Sequence, residues 1–319
     1  MELLAIEIRK DGEIKGLSIG NEDIKLTTFA DDMTCFLKNT ASYRKLLNVL
    51  EEYGFFSGSK VNKEKTEFLL LGNINVSSEE LGGAEIKNKV KILGIHFTHD
   101  WALFKKLNFD AIVKSIKETF SAWRWRNLTL LGKIQIIKSF VIPKILHRAA
   151  VLPCENDFIK EFEFLWRGKD KIKRTAMINE IEYGGLKMPD VDSLIKTQRI
   201  MCIKKYLESY ESSWKKVLSY YLKKVGGPFL FHCHFEYSSL PLALPTFYRY
   251  CVNVWSSLRQ DEPTTSEEIA REVLWNNKSI RLEKKSVFNQ QLLEKGLVTV
   301  GDLFDQKGIL RHGKQFFTN

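Results

Sequence analysis

The sequence predicts an α+β fold: a small antiparallel sheet with one amphipathic helix in the first third, then a mostly helical remainder. Short apolar runs, Asp23 to Phe29, Met33 to Leu37, Thr66 to Leu71 and Val90 to Phe97, have strand length and are punctuated by Gly20-Asn21, Gly72 and Gly94. Between them, Tyr43, Leu46, Leu47, Leu50 and Tyr53 recur at helical spacing. Beyond Asn108 helical stripes dominate. A chain of 319 residues, 44% hydrophobic and 28% charged, can bury a core in one large domain or in two to three smaller ones.

In chain order, Glu2 to Arg9 reads as the last turns of a helix, and a turn around Lys10-Asp11-Gly12-Glu13 leads into Ile14 to Ile19. In Asp23 to Phe29, Ile24, Leu26 and Thr28 alternate with Lys25, Thr27 and Phe29. Met33 to Leu37 resumes at strand length, so Asp31 and Asp32 fall at the bend of a hairpin. The next helix has Asn39 or Thr40 as its cap and Gly54 as its terminator. Ser57-Gly58-Ser59 is a turn, Lys60 to Lys65 is basic, Thr66 to Leu71 is strand-like, and Asn73 to Gly83 is a polar loop. Val90 to Phe97 is a strand broken at Gly94. The helical stripes are Phe109, Ile112, Val113, Ile116, Phe120 and Trp123; then Leu131, Ile134, Ile137 and Val141, stopping near Pro143; then Phe158 to Trp166. Further helices are expected from Asp192 to Tyr210, from Ser266 to Trp275, and from Val287 to Lys295.

The 49 Lys and Arg against 39 Asp and Glu leave a charge of +10, which favours a polyanionic partner. No window approaches the ~18 apolar residues of a membrane span. The N-terminus lacks the basic start and apolar run of a signal peptide, so an intracellular protein, in cytoplasm or nucleus, is expected. Five scattered cysteines suit reduced, buried thiols. His232-Cys233-His234 lies in an alternating run, Phe229 to Phe235, that reads as a strand or extended loop. It has no second ligand pair at useful distance, which argues against zinc.

Two adjacent aspartates flanked by Phe29, Met33 and Phe36 repel one another in surroundings that limit screening water, and a divalent cation would relieve this. Nucleotidyl transfer needs such a site, with two metals activating a 3′-hydroxyl and holding a triphosphate. The other reading of Asp-Asp is a solvated turn.

The run Leu26-Thr27-Thr28-Phe29-Ala30-Asp31-Asp32-Met33 resembles the palm hairpin of LINE-type (non-LTR) retrotransposon reverse transcriptases. Ser57 to Glu67 is similar to the segment after the palm helix of that family. Val90-Lys91-Ile92-Leu93-Gly94-Ile95 looks like its primer-grip hairpin. Phe164-Leu165-Trp166-Arg167-Gly168 and Tyr183-Gly184-Gly185-Leu186-Lys187-Met188-Pro189 resemble the blocks beyond its thumb. The likeness runs through Tyr210, with a looser match from Trp275 to Leu303.

That resemblance implies a partial palm over residues 1–105, a helical thumb over 106–168 and a basic, mostly helical region over 169–319. It implies an RNA-directed DNA polymerase using Mg²⁺, or Mn²⁺, with an RNA template, a DNA primer and deoxynucleoside triphosphates, and no membrane partner. Asp31 and Asp32 would be the metal-binding carboxylates, and Lys65 a proton donor or charge stabiliser, or else a solvated lysine. Leu93 and Gly94 would lie against the primer terminus, or else serve sheet packing. Trp123, Arg124 and Arg126 sit where a thumb meets the duplex, with Trp123 in the helix core and the arginines solvated as the alternative. Lys169, Lys171, Lys173 and Arg174 form a basic strip suited to phosphates. The family's third metal-binding aspartate, on an earlier palm strand, and its fingers have no counterpart here, so the two-metal site is incomplete. Little or no polymerase activity is expected of the chain alone. The alternatives are a non-catalytic nucleic-acid-binding remnant and a helical scaffold whose charge is incidental.

Overall fold

The alternating runs of the first third form separate hairpins rather than one sheet. The computed structural model describes residues 1–72, 76–153, 172–240, 243–258, 263–305 and 307–311. The chain divides into two units, Met1–Trp125 and Arg126–Asn319, a division that falls inside residues 106–168.

In the first unit, α1 (Glu2–Lys10) is followed by the antiparallel pairs β1 (Leu17–Ile19) with β2 (Glu22–Ile24), and β3 (Leu26–Phe29) with β4 (Asp32–Cys35). The expected single strand from Asp23 to Phe29 is broken at Lys25. Its buried ammonium turns away to donate to the carbonyls of Arg9, at 2.9 Å, and Asp11, at 2.5 Å. A cation on the last carbonyls of α1 satisfies acceptors that have no partner within the helix. Gly16 makes the crossing possible, since a Cβ there would meet the Ile24 carbonyl oxygen at 2.3 Å.

Helix α2 (Thr40–Ser57) starts at Asn39, whose side chain accepts from the Ser42 amide at 2.9 Å. It runs through Gly54, the expected terminator, and ends at Gly58 in the left-handed region (φ 70°). Gly54 has a different role: a Cβ there would lie 2.8 Å from the Ser59 carbonyl, so its absence lets the chain fold back over the last turn. The buried line is Ser42, Leu46 and Val49, flanked by Leu50 and Tyr53. It packs with Leu4, Ala5 and Ile8 of α1, Ile14 and Leu26 into one core.

Strands β5 (Phe68–Leu69) and β6 (Ile86–Lys87) pair in parallel, and β7 (Val90–Ile92) with β8 (Ile95–Phe97) antiparallel, so the expected broken strand is a hairpin. Helix begins earlier than Phe109, with α3 (Trp101–Lys105), because the Asp100 carboxylate caps the Ala102 and Leu103 amides. A π-turn, Lys106–Asp110, joins α3 to α4 (Ala111–Arg124), which buries Ile112, Ile116 and Phe120.

The second unit opens with α5 (Leu130–Ile136), a second π-turn (Ile137–Val141) and α6 (Ile142–Ala149). The helix thus passes Pro143. Proline lacks an amide and crowds the preceding turn, but at the N-terminal edge of α6, directly after the widened π-turn, no α-type bond is required of it. The stripe Phe158 to Trp166 lies outside the described residues.

Next come α7 (Arg174–Ile178), α8 (Val191–Leu207), α9 (Ser213–Leu222) and α10 (Thr246–Ser256). Their core joins Ile203, Tyr206, Leu218, Leu222, Phe231, Cys251 and Val252. Phe229 to Phe235 is not a strand: Pro228–His232 forms a 3-10 turn that buries Leu230 and Phe231. Helix α11 (Ser266–Arg271), opened by a Thr265–Glu268 capping box, ends before Trp275. Trp275 instead enters a second core with Leu274 and Leu297, its indole N–H donating to the Leu297 carbonyl at 2.5 Å. The short pair β9 (Arg281–Leu282) and β10 (Lys285–Ser286) precedes α12 (Gln290–Glu294), the remnant of the longer helix expected there.

Candidate metal-binding hairpin and nucleic-acid interface

The acidic hairpin stands on a fixed base. Leu26 is buried, Met33 and Cys35 pack on the α1–α2 core, and the Phe36 amide donates to the Lys25 carbonyl at 2.7 Å. Lys45 of α2 bridges Glu13 at 2.7 Å and Asp11 at 3.6 Å beneath it. The Asp11 carboxyl is held below its ordinary range first by the Glu13 amide, 2.7 Å away, and to lesser degrees by Ile14 and Lys45. At the tip, Phe29 pairs with Asp32, leaving Ala30 and Asp31 as a two-residue turn. Ala30 lies at φ 54°, a region that costs a residue with a Cβ about 1–3 kcal/mol. The turn is therefore imposed by the register of the two strands, and it projects Asp31 and Asp32 into solvent.

Both carboxylates are exposed, and Phe29 beside them is 65% exposed. This corrects the expectation of an apolar surround: water reaches the pair and screens its repulsion, so electrostatic stress does not by itself demand a cation. Among the described residues no group of three or more His, Cys, Asp or Glu side chains is placed to hold a metal. Lys65 is exposed in a one-turn 3-10 helix, Lys63–Lys65, its amide donating to the Asn62 side chain at 3.2 Å. At His232-Cys233-His234, the buried Cys233 thiol donates to the carbonyls of Leu230 and Trp275, and burial pushes it up to about 12.

The second hairpin turns at Leu93 (φ 47°) and Gly94 (φ 84°), directly after the Ile92–Ile95 pair. Two positive φ angles mark a primed turn, whose twist matches that of the strands, and Leu93 tolerates its angle with a side chain that is 48% exposed. This hairpin is clamped from outside. Asn108, fully buried in the π-turn, accepts from the His96 amide at 2.9 Å and donates to the His96 carbonyl at 2.8 Å and the Phe104 carbonyl at 3.1 Å. One side-chain amide thus replaces a missing neighbour strand for β8. Replacing Asn108 with leucine should lower stability by about 1–3 kcal/mol and free the His96 and hairpin amides to exchange with solvent. Unchanged exchange protection at His96 would show the clamp to be dispensable.

At the end of α4, Trp123 is half-buried and Arg124 exposed; Trp125, the C-cap, is 88% exposed, and Arg126 follows, exposed. The ring that offers a free face is therefore Trp125, the second tryptophan of the run Trp123-Arg124-Trp125-Arg126. Lys173 is exposed, Arg174 begins α7, and Lys169 and Lys171 lie outside the described residues.

Three cations have no part in a polyanion surface. Lys25 caps α1. Lys215 is buried, donating to the Glu208 carbonyl at the end of α8 at 2.6 Å with its ammonium 3.6 Å from the Tyr210 ring centroid. Lys215 thus faces inward rather than to solvent. Arg199, 2% exposed, donates to the carbonyls of Ala149, at the end of α6, and Leu152, and its guanidinium lies 4.7 Å from the Phe247 ring centroid. Each occupies the negative end of a helix.

No family model matches the chain. It is 24% identical over 316 residues to the transposon TX1 uncharacterized 149 kDa protein of Xenopus laevis. That match covers 92% of this chain and 24% of the frog protein, so the chain spans about a quarter of its relative's length. The chain is similar to a transposon protein along most of its length. Among the described residues no helix is long and apolar enough to cross a membrane.

Proposed function

We propose that the chain is a piece of a non-LTR retrotransposon reverse transcriptase, an RNA-directed DNA polymerase, comprising part of the palm, the thumb and the region beyond. The observation that carries the reading is the β3–β4 hairpin, which presents Asp31 and Asp32 together at a strained two-residue turn. A second hairpin with Leu93-Gly94 at its tip follows, where the sequence resembles a primer grip, and the likeness to a transposon protein covers 92% of the chain. Exposed paired carboxylates are hard oxygen donors of the kind Mg²⁺ and Mn²⁺ accept. Two on one turn, with no third carboxylate brought to them among the described residues, fall short of a two-metal centre. No nucleotidyl-transfer step follows from this donor set.

The chain alone should therefore bind Mn²⁺ weakly, with a dissociation constant on the order of millimolar, and should not extend a DNA primer on an RNA template. Paramagnetic broadening of resonances near the turn reads the first, and single-nucleotide extension the second. Broadening that persists in an Asp31→Asn, Asp32→Asn double variant would refute the metal assignment. Primer extension lost in that variant would instead show a complete catalytic centre in this chain.

A second reading, a nucleic-acid-binding piece without chemistry, is favoured by one observation: Trp125 stands free at the end of α4 beside the exposed Arg124.

A further inference from the structure

The net charge of the chain is not spread evenly. Residues 1–125 contain 18 Lys and Arg and 18 Asp and Glu, so the whole excess of +10 belongs to the Arg126–Asn319 unit. Within that unit Arg199 and Lys215 are buried against helix ends. Of the outward cations, four fall in one eight-residue stretch, Lys278, Arg281, Lys284 and Lys285, opposed there only by Glu283. All four are exposed, and among the described residues none is held in an ion pair.

These cations stand on the β9–β10 hairpin and its entry. Leu282 pairs with Lys285 across a two-residue turn in which Glu283 (φ 49°) and Lys284 (φ 67°) both lie in the left-handed region. The base holds the turn closed. The Asn276 amide donates to the Val287 carbonyl at 2.8 Å, and the buried Asn277 side chain accepts from the Ser279 amide at 2.9 Å while donating to the Val273 carbonyl at 2.9 Å. The Arg281 Nε donates to the Lys278 carbonyl at 2.9 Å, which orients the guanidinium and leaves its terminal amino groups outside that bond. The charges therefore sit on a fixed ridge, where binding costs less ordering than on a free loop.

The Lys278 amide donates to the His234 carbonyl at 2.5 Å, so the hairpin's entry lies beside the segment leading into the 3-10 turn Tyr237–Ser239. There Lys278 lines a cleft of about 290 Å³ with Glu236, Tyr237, Asn253 and Ser256, the last two from the end of α10. Ligand pockets start at about 300 Å³, so the cleft has room for one nucleoside and not for a larger body.

We propose that this hairpin and cleft bind single-stranded nucleic acid, with the cations on successive phosphates and one unpaired base against Tyr237. The division follows from charge. The Glu236 carboxylate, which accepts from the Ser238 hydroxyl at 3.1 Å, repels phosphate from the cleft yet accepts an N–H from a base edge. On the hairpin, phosphates meet four cations and one acid. A duplex offers the phosphates but keeps its bases stacked, so the cleft selects a single strand. The proposal goes beyond the polymerase reading and depends neither on the acidic hairpin nor on Trp125.

Fluorescence anisotropy of the full chain with labelled oligo(dT) and oligo(U), each of about twelve nucleotides, provides the test. Both should bind. Lys284→Gln, Lys285→Gln should weaken them about 10- to 30-fold near 0.1 M salt and lower the slope of log affinity against log salt by about 1.4, roughly 0.7 per phosphate contact. Arg281 is left in place because it also holds the hairpin. Lys204→Gln, Lys205→Gln, an equal loss of charge at exposed positions of α8, should cost less than about threefold. Tyr237→Leu should weaken oligo(dT) about 5- to 100-fold and leave an abasic oligomer of the same length unaffected, whereas a folding defect would weaken both. Equal losses from the two lysine pairs, equal affinity for a duplex of that length, or an equal effect of Tyr237→Leu on the two oligomers would overturn the proposal. So would binding to phosphatidylserine vesicles that the Lys284, Lys285 variant abolishes while oligonucleotide affinity is unchanged, since the exposed Leu282 would then be a membrane contact.

Discussion

Replacing Arg199 with methionine should destabilise the Arg126–Asn319 unit by about 3–4 kcal/mol, a loss visible as an earlier urea midpoint with little change in slope. The guanidinium is 2% exposed and donates to two backbone carbonyls, those of Ala149 and Leu152. Hydrogen bonds from a charged donor contribute about 1.5–3 kcal/mol each, and substitution leaves both acceptors behind without a donor. Removing a buried charge recovers part of its desolvation penalty, which brings the net below the sum. A buried pair of side chains can be replaced together by apolar ones; here the acceptors are backbone at the end of α6 and cannot be replaced. Methionine keeps the volume of the apolar stem but not the guanidinium that lies 4.7 Å from the Phe247 ring centroid, so the measured loss reports the hydrogen bonds and that cation–ring contact rather than a cavity. Arg199→Lys, which retains charge but presents one ammonium in place of a fork, should fall between the two. Equal stability of Arg199→Met and the parent would show that the α6 carbonyls find other partners.

That arginine also shows where sequence patterns stop. The hairpin around Asp31 and Asp32 was legible from the two short apolar runs on either side of it, but its register was not: Asp32 pairs with Phe29 inside β4, and the turn is Ala30-Asp31. Helix α2 was legible from its period, yet its end was not. Gly54 carried the signal of a terminator but is required by a close approach of Ser59, and only the φ of Gly58 distinguishes the true stop. Pro143 misled for a similar reason, since a π-turn removes the bond that the proline would have broken. The burial of Lys25, Arg199 and Lys215 leaves no mark in the sequence, because nothing local records that a helix ends beside them. Their carbonyl partners lie from 7 to 50 residues away. Asn108 escaped notice likewise, being one polar residue at the start of an apolar stripe. At the candidate site, residue identity was legible and environment was not: the aspartates were expected among apolar neighbours, and the turn instead lifts them into water.

Exposure sharpens the nucleic-acid expectation into a ranking of residues. Trp125→Ala should weaken binding to an RNA/DNA hybrid with a single-stranded template overhang by about 5- to 100-fold, the range that a stacked base contributes, roughly 1–3 kcal/mol. Trp123→Phe should have a smaller effect, because Trp123 is half-buried while Trp125 is 88% exposed. Arg124→Gln removes one exposed cation and should reduce the slope of log affinity against log salt by about one ion's worth, while Trp125→Ala lowers affinity at every salt concentration and leaves the slope alone. This separation tests the interface against incidental charge: a scaffold carrying a net charge of +10 would lose affinity with salt but would not distinguish alanine at 125 from alanine at any other exposed position. Fluorescence anisotropy across a salt series measures both quantities on the same samples. If the two tryptophan variants bind alike and only total charge predicts affinity, Trp125 has no role as a stacking platform. The three inward-facing cations supply the control. Substitutions at Lys25, Arg199 or Lys215 should change stability without changing the salt slope, since each charge already serves the end of a helix.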